Sequence, residues 1–453
     1  MLIATNPYTG KKIAEYPSLN VRQIADCIGD AAEAFGDWKN TSIAERAIVL
    51  NKVAAELKAH RNELAVLMAE EMGKPVKEGL AEVDKSAWCA EHYATYANDY
   101  LANEVLESDA GKSYVCYQPL GTLLGILPWN APLWIAFRYL APALMAGNTC
   151  VMKHDPNVPG CAQALADIFN KAGVPQGVMV NLPVQTADVE MAIRDPRIAA
   201  ISFTGSSAAG KKVAAIAASE LKPAVLELGG SDPCIVLADA DLEQAASIAV
   251  LSRIINAGQS CIAAKRIIVE DAVYDDFIAL VKNKLSHLTL GNPLEESTQI
   301  GPLARKDLQK NLHRQVCETI SSGAKCLLGG ELPNSDGFFY PATLLVDASP
   351  EMTAFKEETF GPVMLVIKAT DQHHALELAN QTDYGLGAAV WSKNTALAEQ
   401  LALQINSGQV AINGIVKTDP RLPSGGIKQS GYGRELGPHG IKEFVNAKQV
   451  WIK

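Results

Sequence analysis

The chain has 453 residues, 48% hydrophobic and 20% charged. That length exceeds the ~250–300 residues one core supports, so two or three domains are expected, and the composition excludes wholesale disorder. Forty Lys and Arg against fifty Asp and Glu leave a net charge of −10, which excludes an extended polyphosphate partner such as nucleic acid.

Nine cysteines without a CxxC spacing and eight histidines without an HExxH pattern point to neither a disulfide framework nor a metal site. The first residues, MLIATNPYTGKKIAEYP, lack a basic region followed by a long apolar run, so a cytoplasmic setting is expected.

In chain order, residues 21–36, 42–72 and roughly 76–100 have helical spacing. In the second, Ile48, Val49, Val53, Leu57, Leu64, Leu67 and Met68 recur before Met72-Gly73-Lys74-Pro75 ends it. Residues 121–152 carry one charge, Arg138, yet Pro128, Asn130, Pro132, Pro142 and Gly147 would break a lipid-exposed helix. No membrane span is expected; a buried strand, a loop and a core helix are.

Strands are predicted at 122–127, 149–153, 178–182, 199–204 and 225–228, with helices near 134–146, 158–171 and 207–221. A second series follows Pro233: strands at 234–238, 266–270, 363–368, 388–392 and 410–413, and helices at 241–256, 272–286, 304–322, 371–381 and 395–405. Such alternation implies an α/β fold with two parallel sheets covered on both faces. Residues 104–118 and the tail from about Phe444 fit neither unit and read as exposed strands open to another chain.

Five stretches could carry chemistry. ISFTGSSAAGKKV, from Ile201 to Val213, runs from a strand through a glycine turn into a helix start. That suits a phosphate or an ordinary turn. Its near P-loop spacing puts Lys212 where Mg²⁺ coordination needs Ser or Thr. In VLELGGSD, Glu227 sits in an apolar strand, where burial raises a carboxyl's pKa toward that of a general base; an exposed sheet edge is the alternative. Cys261, in NAGQSCIAAK, is a candidate nucleophile at a tight turn or an inert core cysteine. Asn130, in Pro128-Trp129-Asn130, follows a buried strand and could donate to an oxyanion. EETFGPV, at 357–363, sets two acids before an aromatic and a turn.

Taken together, PWN, FTGS, LELGG, GQSC and EETFGPV resemble, in order and close to spacing, the motifs of the aldehyde dehydrogenase superfamily. The resemblance runs from Asn6-Pro7-Tyr8-Thr9-Gly10 to Gly431-Tyr432-Gly433-Arg434. It implies two Rossmann-like parallel-sheet domains plus a small β oligomerisation hairpin and tail. The expected divisions are 1–100 with 119–229 for the cofactor, 230–428 for catalysis, and 101–118 with 429–453 for oligomerisation. A homodimer or homotetramer follows by the same resemblance.

The resemblance also assigns roles. Cys261 would attack an aldehyde, Asn130 and the Cys261 N–H would hold the oxyanion, and Glu227 would activate water. Trp129, Lys153, Gly205, Ser206, Leu228, Glu358 and Phe360 match cofactor positions, with Lys153 and Glu358 on the ribose hydroxyls and Gly205-Ser206 at the pyrophosphate. The sequence departs from the family at Lys153-His154-Asp155-Pro156. NAD-strict relatives often carry Glu at the place of Pro156, and Asp155 and Lys153 pull in opposite directions, so NAD is expected with NADP tolerated.

Arg138, eight residues past Asn130, matches an Arg of succinate-semialdehyde dehydrogenases, and the chain is similar to their shorter bacterial class. Buried Arg needs a partner: an incoming carboxylate, with Thr418, Lys417 and Arg421 near by, or a carboxylate of the chain itself. Ile255 stands where some of those enzymes have a second Arg, and Ser424 replaces a Phe. The implied reaction is oxidation of succinate semialdehyde to succinate in 4-aminobutyrate breakdown. Glutarate semialdehyde and broad aliphatic aldehydes are the alternatives. A non-catalytic binding role and a phosphotransferase are the rivals from other classes.

Overall fold

Residues 122–127 and 149–154 are buried at every position, as strands covered on both faces must be. In the computed structural model, which describes residues 1–453, they open the first sheet. Its strands β1 (Thr122–Leu127), β2 (Thr149–His154), β3 (Met179–Asn181), β4 (Ile198–Thr204) and β5 (Ala224–Glu227) are parallel in the order 5-4-1-2-3. Alternate residues feed two cores: Leu123 and Leu127 on one face, Leu124 and Ile126 on the other. The chain steps outward from β1 to β3, then returns to β4 beside β1. Connections therefore diverge at the carboxyl ends of β1 and β4, the crevice in which open α/β sheets take ligands.

The second sheet has β6 (Asp232–Val236), β7 (Ala264–Glu270), β8 (Thr343–Val346), β9 (Val363–Ala369), β10 (Gly387–Trp391) and β11 (Gln409–Ile412). They are parallel in the order 8-9-7-6-10-11, with Lys325–Leu328 antiparallel outside β8. Four helices position the cleft: α1 (Val76–Tyr100), α2 (Pro132–Met145), α3 (Ser207–Ser219) and α4 (Leu242–Ile254). The first turn of α2 has no capping side chain of its own. Instead the Glu82 carboxylate of α1 accepts the N–H groups of Leu133 and Trp134 at 2.9 and 3.1 Å, satisfying orphan donors and favouring the helix dipole. This fixes the strand-to-helix corner that carries Asn130.

Several features differ from the sequence reading, among them β8, the strand Lys325–Leu328 and the helix Val189–Arg194, none of which was expected. The helix expected over 42–72 is two, Ile43–Ala59 and Arg61–Met72, hinged at His60; both halves pack on one core, so the apolar period runs through the break. An N-terminal hairpin, Leu2–Asn6 with Lys11–Tyr16, was not anticipated. The stretch beyond 429, expected to be wholly peripheral, divides. Gly431–Tyr432 adds antiparallel to β5 and the helix Gly437–Lys442 packs against α1. Only Val445–Ile452 joins the outlying sheet, pairing along Lys112–Pro119, which pairs in turn with Glu104–Val105. No helix is long and apolar enough to cross a membrane.

Candidate active site

Between α4 and β7 the backbone enters the left-handed region three times running, at Asn256 (φ 54°), Ala257 (φ 51°) and Gly258 (φ 75°). Two of the three are not glycine, so the strain must be held by contacts. The Asn256 N–H donates to the Glu78 carboxylate at 2.7 Å, and its side-chain amide donates to the Asn130 carbonyl at 2.7 Å. Arg253, fully buried, donates through Nη2 to the carbonyls of Gly258, Thr359 and Gly361. A Cβ on Gly258 would lie 2.3 Å from the Gly361 oxygen. Lys265 Nζ closes the turn from behind, donating to the carbonyls of Cys261 (2.6 Å) and Ser260 (3.0 Å).

The turn presents Cys261, partly exposed, to a cavity of about 270 Å³ lined also by Asn130, Trp134, Arg138, Lys85 and Thr418. Burial pushes the free thiol up to about 11, while the Arg138 and Lys265 cations pull it back. One Asn130 amide hydrogen goes to the Gln259 carbonyl at 3.1 Å; the amide carries a second.

Glu227 ends β5 and is 3% exposed. Its Oε2 accepts from Arg138 Nη2 at 2.9 Å, Oε1 is buried without a partner, and Arg138 Nε donates to Glu435. Burial raises both carboxyls and the shared guanidinium holds them back. Of the two kinds of partner expected for Arg138, two acids of the chain hold its Nε and Nη2, while the residue still lines the cavity that contains Cys261. Arg421 departs from the expectation. It grips Asp419 (Nη2 to Oδ2, 2.6 Å), stacks over Trp88 and does not line the cavity. Lys417 lies exposed at the rim and Thr418 is buried in the wall.

Replacing Arg138 with leucine leaves two buried carboxyls without their cation, and breaking such a pair costs about 3–5 kcal/mol. Both acids then have folded pKa values further above the unfolded one. Their protonated forms fold without penalty in acid, so the loss grows as pH rises from ~5 to ~8. Urea denaturation at the two pH values reads this; equal losses at both would contradict it.

The positions matched to a cofactor lie beyond the carboxyl ends of β1, β2, β4 and β5 and on the facing loop before β9. Trp129 and Phe360 meet edge to face at 5.9 Å. Glu358 accepts the Gly230 N–H at 3.1 Å and faces Lys265 at 3.4 Å. Leu228 packs so closely on Gly210 that a Cβ there would come within 2.5 Å. Gly205 departs from the reading of a free donor: its N–H is taken by the Glu227 carbonyl at 3.0 Å. Ser206 Oγ accepts the Ala209 N–H, leaving Ser207 and Ala208 as open donors in the first turn of α3. Asp155 is tied into a turn by the Asn157 N–H, followed at 2.9 Å, with Pro156 between. His154 donates through Nε2 to the Pro132 carbonyl, and burial pulls its ring down to about 4, so it is neutral.

The sequence model of the Aldehyde dehydrogenase family matches residues 2–450. The chain belongs to the aldehyde dehydrogenase family. It is 45% identical, over the full length of both chains, to a probable succinate-semialdehyde dehydrogenase [NADP(+)] of a Synechocystis species. It is 44% identical to the succinate semialdehyde dehydrogenase [NAD(P)+] Sad of Escherichia coli, covering 99% of this chain and 97% of that one. Among solved structures, succinic semialdehyde dehydrogenase from Streptococcus pyogenes in complex with NADP+ superposes with a TM-score of 0.98 at 34% identity, covering both chains fully.

An aldehyde dehydrogenase needs a dinucleotide, and the groove has groups suited to one. Lys153 is 4% exposed with its ammonium on no acceptor of the chain, and burial pulls its pKa down. The Thr204 hydroxyl is buried without a partner. A diphosphate and ribose hydroxyls are the chemistry such donors lack. Residues that the motifs did not single out complete the site: Arg253, Lys265, Glu78 and Glu435. A detectable signal existed for two of them, since Lys265 and Arg253 are cations set in otherwise apolar strand and helix patterns.

Proposed function

We propose that this aldehyde dehydrogenase oxidises succinate semialdehyde to succinate with NADP or NAD, through a covalent intermediate on Cys261, as a step of 4-aminobutyrate breakdown. The observation that carries the reading is one cavity shared by the Cys261 turn, Asn130 and Arg138, with Glu227 bonded to that Arg138. The similarity to enzymes named for this substrate supports it.

The Cys261 thiol gives its proton to water and attacks the aldehyde carbon as the thiolate, forming a C–S bond as the C=O π pair moves onto the oxygen. The oxyanion takes hydrogen bonds from the Asn130 amide and the Cys261 N–H, a donor pair of the kind whose loss costs about 2.7–4 kcal/mol per member. NAD or NADP, when bound, would supply the acceptor for the hydride that leaves the same carbon, which leaves the acyl group on Cys261 as a thioester. Glu227 takes a proton from water, the hydroxide oxygen adds to the carbonyl carbon, and the C–S bond breaks with the sulfur leaving as thiolate. Lys153 and Glu358 would hold ribose hydroxyls, the first turn of α3 with Ser206 the pyrophosphate, and Trp129, Leu228 and Phe360 the walls. With Pro156 where a carboxylate would repel a 2′-phosphate, NADP is accepted.

A broad aldehyde dehydrogenase is the second reading, favoured by the occupation of Arg138 by Glu227 and Glu435. The two separate on matched substrates. Charge-assisted hydrogen bonds are worth about 1.5–3 kcal/mol, so kcat/KM for succinate semialdehyde should exceed that for butyraldehyde by ~10–150-fold, with glutarate semialdehyde between. Equal values would favour the broad enzyme.

The free edge of Val445–Ile452, with Trp451 and Ile452 nearly half exposed, suits antiparallel pairing with a second copy, so the same proposal includes a dimer or a dimer of dimers. All nine cysteines are unpaired, which suits a reducing cytoplasm.

A further inference from the structure

The peptide that joins Ser260 to Cys261 has two ends in different surroundings. Its N–H, on Cys261, donates to no group of the chain, and both residues line the cavity. Its carbonyl, on Ser260, accepts from the Lys265 ammonium at 3.0 Å and from the Ala263 N–H at 3.3 Å. The next carbonyl, that of Cys261, takes a second ammonium hydrogen at 2.6 Å. An ammonium has three hydrogens, so most of the donor capacity of one cation is committed to the nucleophile's turn. Lys265 itself does not line the cavity.

A cation 1% exposed needs anions near it, and two are built in. Lys265 is the second residue of β7, opposite the irregularity in β6 where Asp232 pairs with Ala264 and Pro233 with Arg266. A Cβ on Gly230 would lie 2.7 Å from Asp232 Oδ1 and 3.0 Å from the Cys261 carbonyl oxygen, so this buried acid and the turn sit against one glycine. Burial raises Asp232 to about 7, with Lys265, the Gly387 N–H and Arg266 pulling it back and Glu358 adding to the rise. Glu358 faces the ammonium at 3.4 Å. The Cys261 thiol in turn feels Arg138 and Lys265 against Glu227 and Glu358. Arg253, also fully buried beside the turn, is bonded to the carbonyls of Gly258, Thr359 and Gly361.

We propose that Lys265 is a positioning residue for the oxyanion formed at Cys261: its ammonium, bonded to the far end of the Ser260–Cys261 peptide, aims and strengthens the N–H that meets the developing charge. The inference rests on the reading of Cys261 as the nucleophile. A donor on an amide carbonyl draws electron density from the nitrogen and makes the N–H more positive. A charged donor does this more strongly than a neutral one, and a low-dielectric interior does not screen it. The negative charge appears on the substrate oxygen only as the C–S or C–O bond forms. The gain therefore belongs to the transition states on either side of the thioester, and it acts on kcat rather than on binding.

The test compares wild type with Lys265→Met, Lys265→Arg and the double variant Asp232→Asn/Lys265→Met. In Lys265→Met, kcat for succinate semialdehyde should fall ~10–100-fold, less than the loss of a whole oxyanion donor, with KM for aldehyde and dinucleotide little changed. Alkylation of Cys261 by iodoacetamide at pH ~8, followed on its own peptide by mass spectrometry, should slow too, because a thiol that loses a nearby cation is less ionised. Lys265→Arg keeps the charge and should retain most of both rates. The double variant removes the buried acid along with its cation, guards against a single variant that fails to fold, and should show the same two losses. Unchanged kcat in the two neutral variants would overturn the proposal. So would a fall in kcat that arginine leaves unrepaired while alkylation keeps the wild-type rate, the pattern of a turn merely displaced. Alkylation of wild-type Cys261 that leaves turnover intact would instead overturn the reading of the nucleophile, which separates the two failures.

Discussion

Cys261→Ala should abolish acid formation, with kcat falling by about a million-fold, the scale seen when other enzymes lose a covalent nucleophile. Nothing else in the cavity can take its place: Ser252 and Ser260 are the other hydroxyls beside it apart from Thr418, and none is a comparable nucleophile at neutral pH. The variant should still fold and titrate with dinucleotide. The strained turn is held by Asn256, Arg253 and Lys265 through backbone carbonyls and N–H groups, and none of those contacts uses the sulfur. Dinucleotide fluorescence and a steady-state assay on one preparation check both halves. Residual turnover within a hundred-fold of wild type would place the nucleophile elsewhere.

Glu227→Gln should uncouple the two halves of the reaction. Gln keeps an oxygen for Arg138 Nη2, now at 2.9 Å from the carboxylate, so the buried network loses a charge but no acceptor. What it loses is a base. General-base catalysis contributes ~100–10,000-fold, and steady-state turnover should drop in that range while the first hydride transfer is far less affected. A burst of reduced dinucleotide, equal to the active sites, should then precede a slow phase. In wild type, burial has raised the Glu227 carboxyl, and only the ionised form accepts a proton from water. Deacylation should therefore quicken as pH rises through that raised value, and the variant's slow phase should lack the dependence.

Much of the fold is legible along the chain because parallel strands buried on both faces read as short apolar runs. β1 is predicted to the residue, and most other strands and helices to within one or two at each end. The break at His60 is hidden because the periodicity continues across it, and the N-terminal hairpin because it is short and largely polar. The candidate site is legible where a local motif sets a position: Cys261 and Asn130 line one cavity, Glu227 is bonded to its Arg138, and Glu358 and Phe360 sit on the facing loop before β9. It is not legible where a partner comes from far along the chain. Arg138 meets Glu435 across 297 residues and Lys85 meets Thr418 across 333, and no spacing encodes such pairs. Arg421 misled because a charge near a cavity's loop is as readily neutralised by its own neighbour, here Asp419 two residues away.

The most direct test of the covalent route is to quench Glu227→Gln with acid during its slow phase, in the presence of succinate semialdehyde and dinucleotide, and map the adduct by peptide mass spectrometry. A succinyl thioester on the peptide bearing Cys261, at close to one per active site, is the predicted result. An unmodified Cys261 while turnover proceeds, or the acyl group on another cysteine, would contradict it.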